Sequence, residues 1–220
     1  MSNQETEELP PSKLGTKEYW DSVYQVEITN FKSHGDVGEV WFGEDSALRI
    51  VRWLTRTDMI TKDDPVIDLG CGNGMMLIEL AEEGFTSLTG VDYSASALEL
   101  AKGVAKDKGY DNIKFLTCDI VSDDVLPERF GTVLDKGTYD AISLNPENAS
   151  AQRLAYKSNV AKLLRQNGLF IIASCNWTSE ELKEFFTTDF KFVADIPAPK
   201  FQFGGKVGSS VSTVVFQQVK

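Results

Sequence analysis

Three glycines, at positions 70, 72 and 74, stand where an apolar run meets a helix-compatible one. Residues 65–74 read Pro-Val-Ile-Asp-Leu-Gly-Cys-Gly-Asn-Gly, and the apolar segment from Met75 to Ala81 follows at once. This pattern predicts a short buried strand, a glycine-rich turn and a helix, with a backbone that can bend sharply and approach a ligand closely because Cβ atoms are absent. It is typical of a loop that holds a cofactor. A tight turn without a ligand is the alternative, and the glycines alone do not decide between the two.

The kind of cofactor follows from what the loop lacks. A dinucleotide fingerprint needs its third glycine where this chain has Met75, and a phosphate-binding P-loop needs Gly-Lys-Ser/Thr, which is absent. Asp68 would repel a pyrophosphate but could hold an amino group by a charge-assisted hydrogen bond. A nucleoside with a zwitterionic tail, such as S-adenosylmethionine, suits this chemistry. The contacts expected from the loop are Asp68, Gly70, Cys71, Gly72, Asn73 and Gly74.

Acidic residues recur at the ends of the next predicted strands. Asp92 follows the glycine loop by about 20 residues, the distance at which a βαβ unit places a carboxylate on ribose hydroxyls, and Tyr93 and Ser94 are expected beside it. Asp119 ends a third strand and could bind the adenine amino group while Ile120 packs on the ring. Asp119 could equally cap a following helix. Two acids at adjacent strand ends with glycines between them are nevertheless hard to explain as turn chemistry alone.

These residues need an open parallel sheet to bring them together. The predicted strands are a run from Pro65, then 87–91, 113–117, 131–134, 169–174, 190–196 and 211–217, with helices between most of them. The last two strands lack an intervening helix and must form an antiparallel hairpin, joined by a loop over 197–206. Either Ser94 or Ser96 is expected to cap the helix after the second strand. The fold class is α/β: a Rossmann-like sheet of seven strands with helices on both faces.

Composition limits the remaining choices. The chain has 220 residues with 42% hydrophobic ones, which suits one domain, here assigned to 15–220 after a disordered acidic tail over 1–14. A formal charge of −11 disfavours a direct nucleic-acid partner and is compatible with a basic protein partner. Three cysteines without Cys-x-x-Cys spacing and a single histidine argue against a metal site or a disulfide framework. We expect a cytoplasmic monomer without a membrane segment, and entry into the nucleus stays open.

The motifs together resemble a known family. Asp-Leu-Gly-Cys-Gly-Asn-Gly at 68–74, the two later acids and the terminal hairpin resemble a class I, seven-strand S-adenosylmethionine-dependent methyltransferase over about residues 40–220. From about Leu14 to the end, the chain is similar to the eukaryotic lysine methyltransferases of elongation factor 1-alpha, the methyltransferase-like protein 10 type. The segments that carry this likeness are Tyr19-Trp20-Asp21, Trp41-Phe42-Gly43, Asp135-Lys136-Gly137-Thr138, Ser174-Cys175-Asn176-Trp177-Thr178 and Pro199-Lys200-Phe201 with Phe203-Gly204-Gly205. Asp-Lys-Gly-Thr occurs in related methyltransferases too and does not fix the substrate.

The resemblance implies a protein-lysine N-methyltransferase with elongation factor 1-alpha as substrate and S-adenosylmethionine as methyl donor. Because their turns follow the fourth and fifth predicted strands beside the glycine loop, we expect Asp135 to orient the incoming amine and Tyr139 and Trp177 to line a channel for the lysine. Trp41 is expected near the cofactor, and Asp135 is expected to touch it as well. Core packing is the alternative for Trp177, and a structural turn acid is the alternative for Asp135. A small-molecule methyltransferase and a non-catalytic adaptor remain as other functions.

Overall fold

A seven-stranded sheet forms the centre of the computed structural model, which describes residues 8–122, 124–199, 201–203, 206–208 and 211–219. The strands, in chain order, are β1 (Val66–Leu69), β2 (Leu88–Asp92), β3 (Lys114–Thr117), β4 (Phe130–Lys136), β5 (Leu164–Ser174), β6 (Phe190–Asp195), β7 (Phe201–Phe203), β8 (Lys206–Gly208) and β9 (Ser212–Gln218). The large sheet has the order β3-β2-β1-β4-β5-β9-β6, and β7 and β8 pair separately. Strands β1 to β5 run parallel, and β9 inserts antiparallel between β5 and β6.

Helices cover both faces of the sheet. They are α1 (Lys17–His34), α2 (Glu44–Arg56), α3 (Met75–Glu82), α4 (Ala95–Asp107), α5 (Thr138–Ser143), α6 (Ala149–Leu163) and α7 (Ser179–Phe186). Helices α1 to α4 bury their apolar residues in one core cluster, and α5 to α7 bury theirs in a second. Strand β5 contributes to both clusters, because alternate side chains leave a strand on opposite faces. Ile171 packs in the first cluster, and Phe170 and Ile172 pack in the second. The predicted α/β architecture is confirmed.

The order of strands creates a crevice for ligands. Strand β1 pairs with β2 on one side and with β4 on the other, so successive crossovers diverge from this point. In open α/β sheets, ligands bind beyond the carboxyl ends of the strands at such a switch point. Strand β4 extends through Lys136, beyond its predicted end, and therefore includes Asp135.

The structure decides two local points that the sequence left open and changes a third. Ser94, not Ser96, caps α4, since its side chain accepts a hydrogen bond from the backbone N–H of Ala97. No helix follows Asp119 before β4 in the described residues, so this residue has no helix to cap there. The predicted loop over 197–206 contains β7 and leads into β8, which pair as a small hairpin.

The amino-terminal segment packs on the domain. Residues 1–7 of the predicted disordered tail lie outside the described residues, but residues 8–14 make specific contacts. Glu8 forms an ion pair with Arg153, whose side chain is only 7% exposed, and the backbone N–H of Ser12 donates to the carbonyl of Leu144 at 3.0 Å. A short 3-10 turn then occupies Lys13–Gly15. Sequence composition missed this docking because the partners lie in α6 and after α5. No described helix is long and apolar enough to cross a membrane.

Candidate active site

The glycine loop connects β1 to α3 with a left-handed backbone at each of its three glycines. The φ angles are +62° at Gly70, +54° at Gly72 and +76° at Gly74, a region that L side chains rarely adopt. A Cβ atom on Gly70 would lie 2.1 Å from Oγ1 of Thr138, and one on Gly72 would lie 2.6 Å from the hydroxyl of Tyr24. The glycines are therefore required by the turn and by close packing against α1 and α5. Ligand approach, the reason expected from the sequence, is not needed to explain them.

Asp92 lies at the end of β2 and fixes the loop to its neighbour. Its carboxylate accepts hydrogen bonds from the backbone N–H groups of Gly72 at 3.1 Å and Ser94 at 2.9 Å. Burial raises the pKa of Asp92 to about 6, although the two N–H donors oppose this shift. The carboxylate is thus held in place at the cavity wall, where hydroxyl groups of a ligand could donate to it.

A cavity of about 370 Å³ opens over this edge of the sheet, a size suited to one nucleoside-sized ligand. The predicted cofactor residues that line it are Trp41, Gly70, Cys71, Gly72, Asn73, Asp92, Tyr93, Asp119 and Ile120. They come from segments far apart in the sequence, which the parallel strands bring together at one edge. Asp119 is exposed and Ile120 is buried, in agreement with a polar edge and an apolar surface for a ring.

Two predicted cofactor residues lie behind the cavity wall. Gly74 packs against Ala101 and Phe115, where a Cβ atom would lie 3.1 Å from the nearest carbon. Ser94 is fully buried as the cap of α4. Both residues shape the loop and the helix that form the wall, and neither residue lines the cavity itself.

Asp68 lies in a smaller adjoining cavity. This space is lined by Val40, Asp68, Gly70, Cys71, Asn73, Met75, Met76 and Lys136, of which Gly70, Cys71, Asn73 and Lys136 also line the large cavity. Burial raises the pKa of Asp68 to about 7, the nearby Lys136 lowers it, and Asp92 raises it. The carboxylate therefore sits close to the loop with a buried positive charge as neighbour.

Asp135 does not face either cavity, which corrects its predicted catalytic and cofactor-binding roles. Its carboxylate accepts hydrogen bonds from the backbone N–H groups of Thr138 and Tyr139 and from the hydroxyl of Tyr156 at 2.5 Å. The residue is 0% exposed, and burial raises its pKa to about 7. Asp135 therefore anchors the start of α5 to α6. This is the structural turn acid of the alternative interpretation.

Tyr139 and Trp177 belong to the apolar core and do not line the predicted lysine channel. Tyr139 is 2% exposed and packs on Tyr156 and Phe186 at centroid distances of 5.4 and 5.3 Å. Trp177 is 6% exposed, donates from Nε1 to Oγ of Ser143 at 3.0 Å, and carries the guanidinium of Arg153 over its ring. Large aromatic side chains bury well whatever their position in the sequence, so type alone did not reveal their place.

Asp140 is the acid that faces the cavity at the ends of β4 and β5. Its carboxylate accepts from the hydroxyl of Ser174 and from the backbone N–H of Cys175 at 2.8 Å, and burial raises its pKa. Asn176 and Cys175 line the same end of the cavity. Asp140 follows Asp135 by five positions, but Asp135 ends β4 and Asp140 lies in α5, which places Asp140 at the cavity.

The amino-terminal segment supplies a second set of cavity residues that the sequence did not indicate. Leu14, Gly15, Lys17, Trp20 and Tyr24 all line the cavity. Trp20 stacks on Tyr24, contacts Trp41 edge to face at 4.9 Å, and donates from Nε1 to the carbonyl of Leu14 at 2.7 Å. Together these aromatic side chains form one wall of the cavity.

Comparison with known proteins connects this geometry to a family. A methyltransferase domain family matches residues 60–213. EEF1A lysine methyltransferase 2 from Danio rerio is 46% identical over 213 residues, which make up 97% of this chain and 91% of the relative. The chain belongs to the methyltransferase domain family. The resemblance stated from the sequence motifs is therefore confirmed.

Other relatives of this methyltransferase agree with the assignment. Protein-lysine N-methyltransferase EFM4 from Saccharomyces cerevisiae is 40% identical over 224 aligned positions, 97% of this chain and 98% of the relative. Among solved structures, the N-methyltransferase NodS from Bradyrhizobium japonicum, in complex with S-adenosyl-L-homocysteine, has a TM-score of 0.65 at 15% identity. That likeness covers 90% of this chain and 99% of NodS, and it shows the fold.

Proposed function

We propose that the protein transfers a methyl group from S-adenosylmethionine to a lysine of translation elongation factor 1-alpha. The observation that carries this proposal is the 46% and 40% identity, over 97% of this chain, to relatives named EEF1A lysine methyltransferase 2 and protein-lysine N-methyltransferase EFM4. The match extends over nearly the full length of both relatives and is not confined to the glycine loop and its neighbouring strands.

The residues of the cavity suit S-adenosylmethionine. Asp92 is placed to accept hydrogen bonds from ribose hydroxyls, and Ile120 and Asp119 offer an apolar face and an acceptor for adenine. When bound, S-adenosylmethionine supplies an electrophilic methyl on its sulfonium. The side chains of Trp20 and Trp41 form one wall of the cavity and would exclude water from the part that they cover.

A lysine substrate must present its Nζ as a free amine. With an ordinary pKa near 10.4, the neutral form costs roughly 5 kcal/mol at pH 7 unless the site assists. Contact with the apolar side chains of Ile142 and Leu144, which line the cavity beside α5, would disfavour the ammonium. Asp140 is held by two hydrogen bonds at this end and can accept from the amine to aim its lone pair. The chain's contribution is therefore mainly positioning.

Methylation of the purified partner tests this proposal. Recombinant protein is incubated with tritiated S-adenosylmethionine and unmethylated elongation factor 1-alpha, and mass spectrometry locates the label. We expect label on a lysine, abolished by Asp92→Ala and retained by Asp111→Ala, an exposed acid outside the cavity. In a parallel incubation with a cell extract, label that appears only in small molecules would favour a small-molecule methyltransferase. Cofactor binding without any transfer would favour an adaptor.

We also propose that the enzyme acts as a monomer in the cytoplasm, and the monomer is directly testable. Size-exclusion chromatography with light scattering should give a mass near 24.4 kDa. A mass of twice this value would show a dimer and contradict the proposed monomer.

A further inference from the structure

Three of the six arginines of the chain lie on one face of α2. Arg49, Arg52 and Arg56 are separated by three and four positions, a spacing that brings side chains together along a helix. Arg52 and Arg56 are exposed, and Arg49 is half-buried. The opposite face of α2 packs in the core through its apolar residues Ala47, Ile50, Val51 and Leu54. The three arginines thus form an outward-facing arginine stripe about 10 Å long.

The protein offers the arginine stripe few partners of its own. Within the described residues none of its three guanidinium groups forms a salt bridge, whereas Arg153 and Arg165 each do. Nε of Arg49 is buried and has no hydrogen-bond partner in the same part of the chain. Arg56 lies in the last turn and suits the helix dipole, but Arg49 and Arg52 lie in earlier turns and gain little from it. These guanidinium groups are therefore available to a ligand outside the protein.

The arginine stripe starts close to the cavity. Trp41 and Phe42 line the cavity, and Gly43 follows them directly as the residue before α2. With a rise of about 1.5 Å per residue, Arg49 lies about 9 Å and Arg56 about 20 Å along the helix from Gly43. An extended peptide advances about 3.3 Å per residue, so a protein chain whose lysine enters the cavity can reach the stripe with residues about three to six positions away.

We infer that the arginine stripe binds an acidic segment of the protein substrate, close to the lysine that is methylated. Arginine is suited to this role because its planar guanidinium group binds a carboxylate through two parallel hydrogen bonds. The inference rests on the proposed function, since it concerns the protein substrate of that reaction.

A nucleic acid fits the same surface less well. Glu79 of α3 interacts electrostatically with Glu82 and Glu83 of its own helix and with Glu44 in the first turn of α2, and Lys108 offsets these charges only in part. This acidic patch beside the start of α2 would repel a long phosphate backbone, as would the formal charge of −11. A short acidic peptide segment can contact the stripe without crossing the patch.

Steady-state methylation of purified elongation factor 1-alpha tests the inference. Arg52→Glu combined with Arg56→Glu reverses two exposed charges outside the cavity. We expect KM for the elongation factor to rise by about 10-fold or more, with kcat and the dissociation constant for S-adenosylhomocysteine each within about 2-fold of wild type. Added salt should raise KM of the wild type more than KM of the variant, because salt screens the charge pairs that the variant lacks. Arg52→Lys combined with Arg56→Lys keeps the charge and should raise KM less.

The matched control is Lys102→Glu combined with Lys106→Glu, which reverses two exposed charges on α4 and should keep the wild-type KM. Thermal melting establishes that each variant folds, and Arg52→Gln with Arg56→Gln replaces the charge reversal if that variant does not. An unchanged KM in the arginine variant, or an equal rise in the control, would overturn the inference and leave the proposed function intact. Absence of methylation by the wild type would overturn the proposed function and, with it, the inference.

A single-stranded oligouridylate is the second probe, with binding measured by fluorescence anisotropy. We expect the wild type and the variant with Arg52→Glu and Arg56→Glu to bind it equally weakly. If the wild type bound this RNA and the variant did not, the arginine stripe would be a nucleic-acid site and the inference would be wrong.

Discussion

At the scale of single residues, Asp135 at the end of β4 and Asp140 in α5 have different roles. Asp135 is buried beneath α5 and holds two backbone N–H groups and one hydroxyl, while Asp140 borders the cavity. Both are carboxylates near the end of a strand, so residue type and spacing favour either one. Only the extension of β4 through Lys136 and the start of α5 at Thr138 place Asp140 on the cavity side.

Replacement of Asp135 should therefore affect stability first. Asp135→Ala leaves three buried donors without an acceptor, and the expected loss is about 3 kcal/mol or more in the free energy of unfolding. Asp135→Asn retains an acceptor for the N–H groups and should lose less. Urea denaturation measures both, and the turnover of the folded fraction provides the control. If the Asp135→Ala protein were as stable as wild type but had lost turnover, Asp135 would have a catalytic role after all.

Replacement of Asp140 should affect turnover. Asp140→Asn keeps the size of the side chain but removes the charge that faces the amine, and we expect at least a 10-fold fall in methyl transfer with S-adenosylhomocysteine affinity within about 3-fold of wild type. Ser174→Ala removes a hydrogen bond to the same carboxylate without changing its charge. If Ser174→Ala lowers methyl transfer as much as Asp140→Asn does, Asp140 has only a structural role.

At the scale of elements, local patterns were predictable and contacts between distant segments were not. The glycine loop, the strand-end acid Asp92 and the capping box of Thr178 with Glu181 are set by neighbours in sequence, and the structure has all three. The wall formed by Gly15 depends on the amide of Asn145, which donates to its carbonyl at 3.1 Å from 130 positions away. No periodicity or composition encodes such a pair, so the sequence predicted a free tail that ends at residue 14, where the structure has Leu14 and Gly15 in the cavity wall.

The amino-terminal strap, defined as residues 8–16, should contribute to cofactor binding. Leu14 and Gly15 line the cavity, and the strap is attached through Glu8 to Arg153 and through Gly15 to Asn145. Deletion of residues 1–15 opens this wall, and the dissociation constant for S-adenosylhomocysteine should rise by about 10-fold as apolar contact is lost. Deletion of residues 1–7 removes none of these contacts and is the matched control. Equal affinities of both truncations would show that the strap does not hold the ligand.

At the scale of the whole molecule, three buried acids make stability depend on pH. Burial raises the pKa of Asp68 and Asp135 to about 7 and that of Asp92 to about 6, above the value near 3.8 of an unfolded chain. Between pH 4 and 7 the folded protein consequently binds more protons than the unfolded one, and its stability falls as pH rises. The formal charge of −11 acts in the same direction, because self-repulsion grows as the acids ionise.

The ligand-free protein should therefore be more stable at pH 5 than at pH 8, by at least about 1 kcal/mol or roughly 2–4 °C in Tm.

S-adenosylhomocysteine should reduce this difference, since an ammonium at Asp68 and hydroxyls at Asp92 favour the ionised carboxylates. Calorimetric titrations near pH 6, in buffers of different ionisation enthalpy, should then show protons released on binding. The Asp92→Asn variant should release fewer protons on binding, because it lacks one of the titrating carboxyl groups. A Tm that rises from pH 5 to 8, or binding that takes up protons, would mean that these carboxylates already ionise at lower pH in the folded protein.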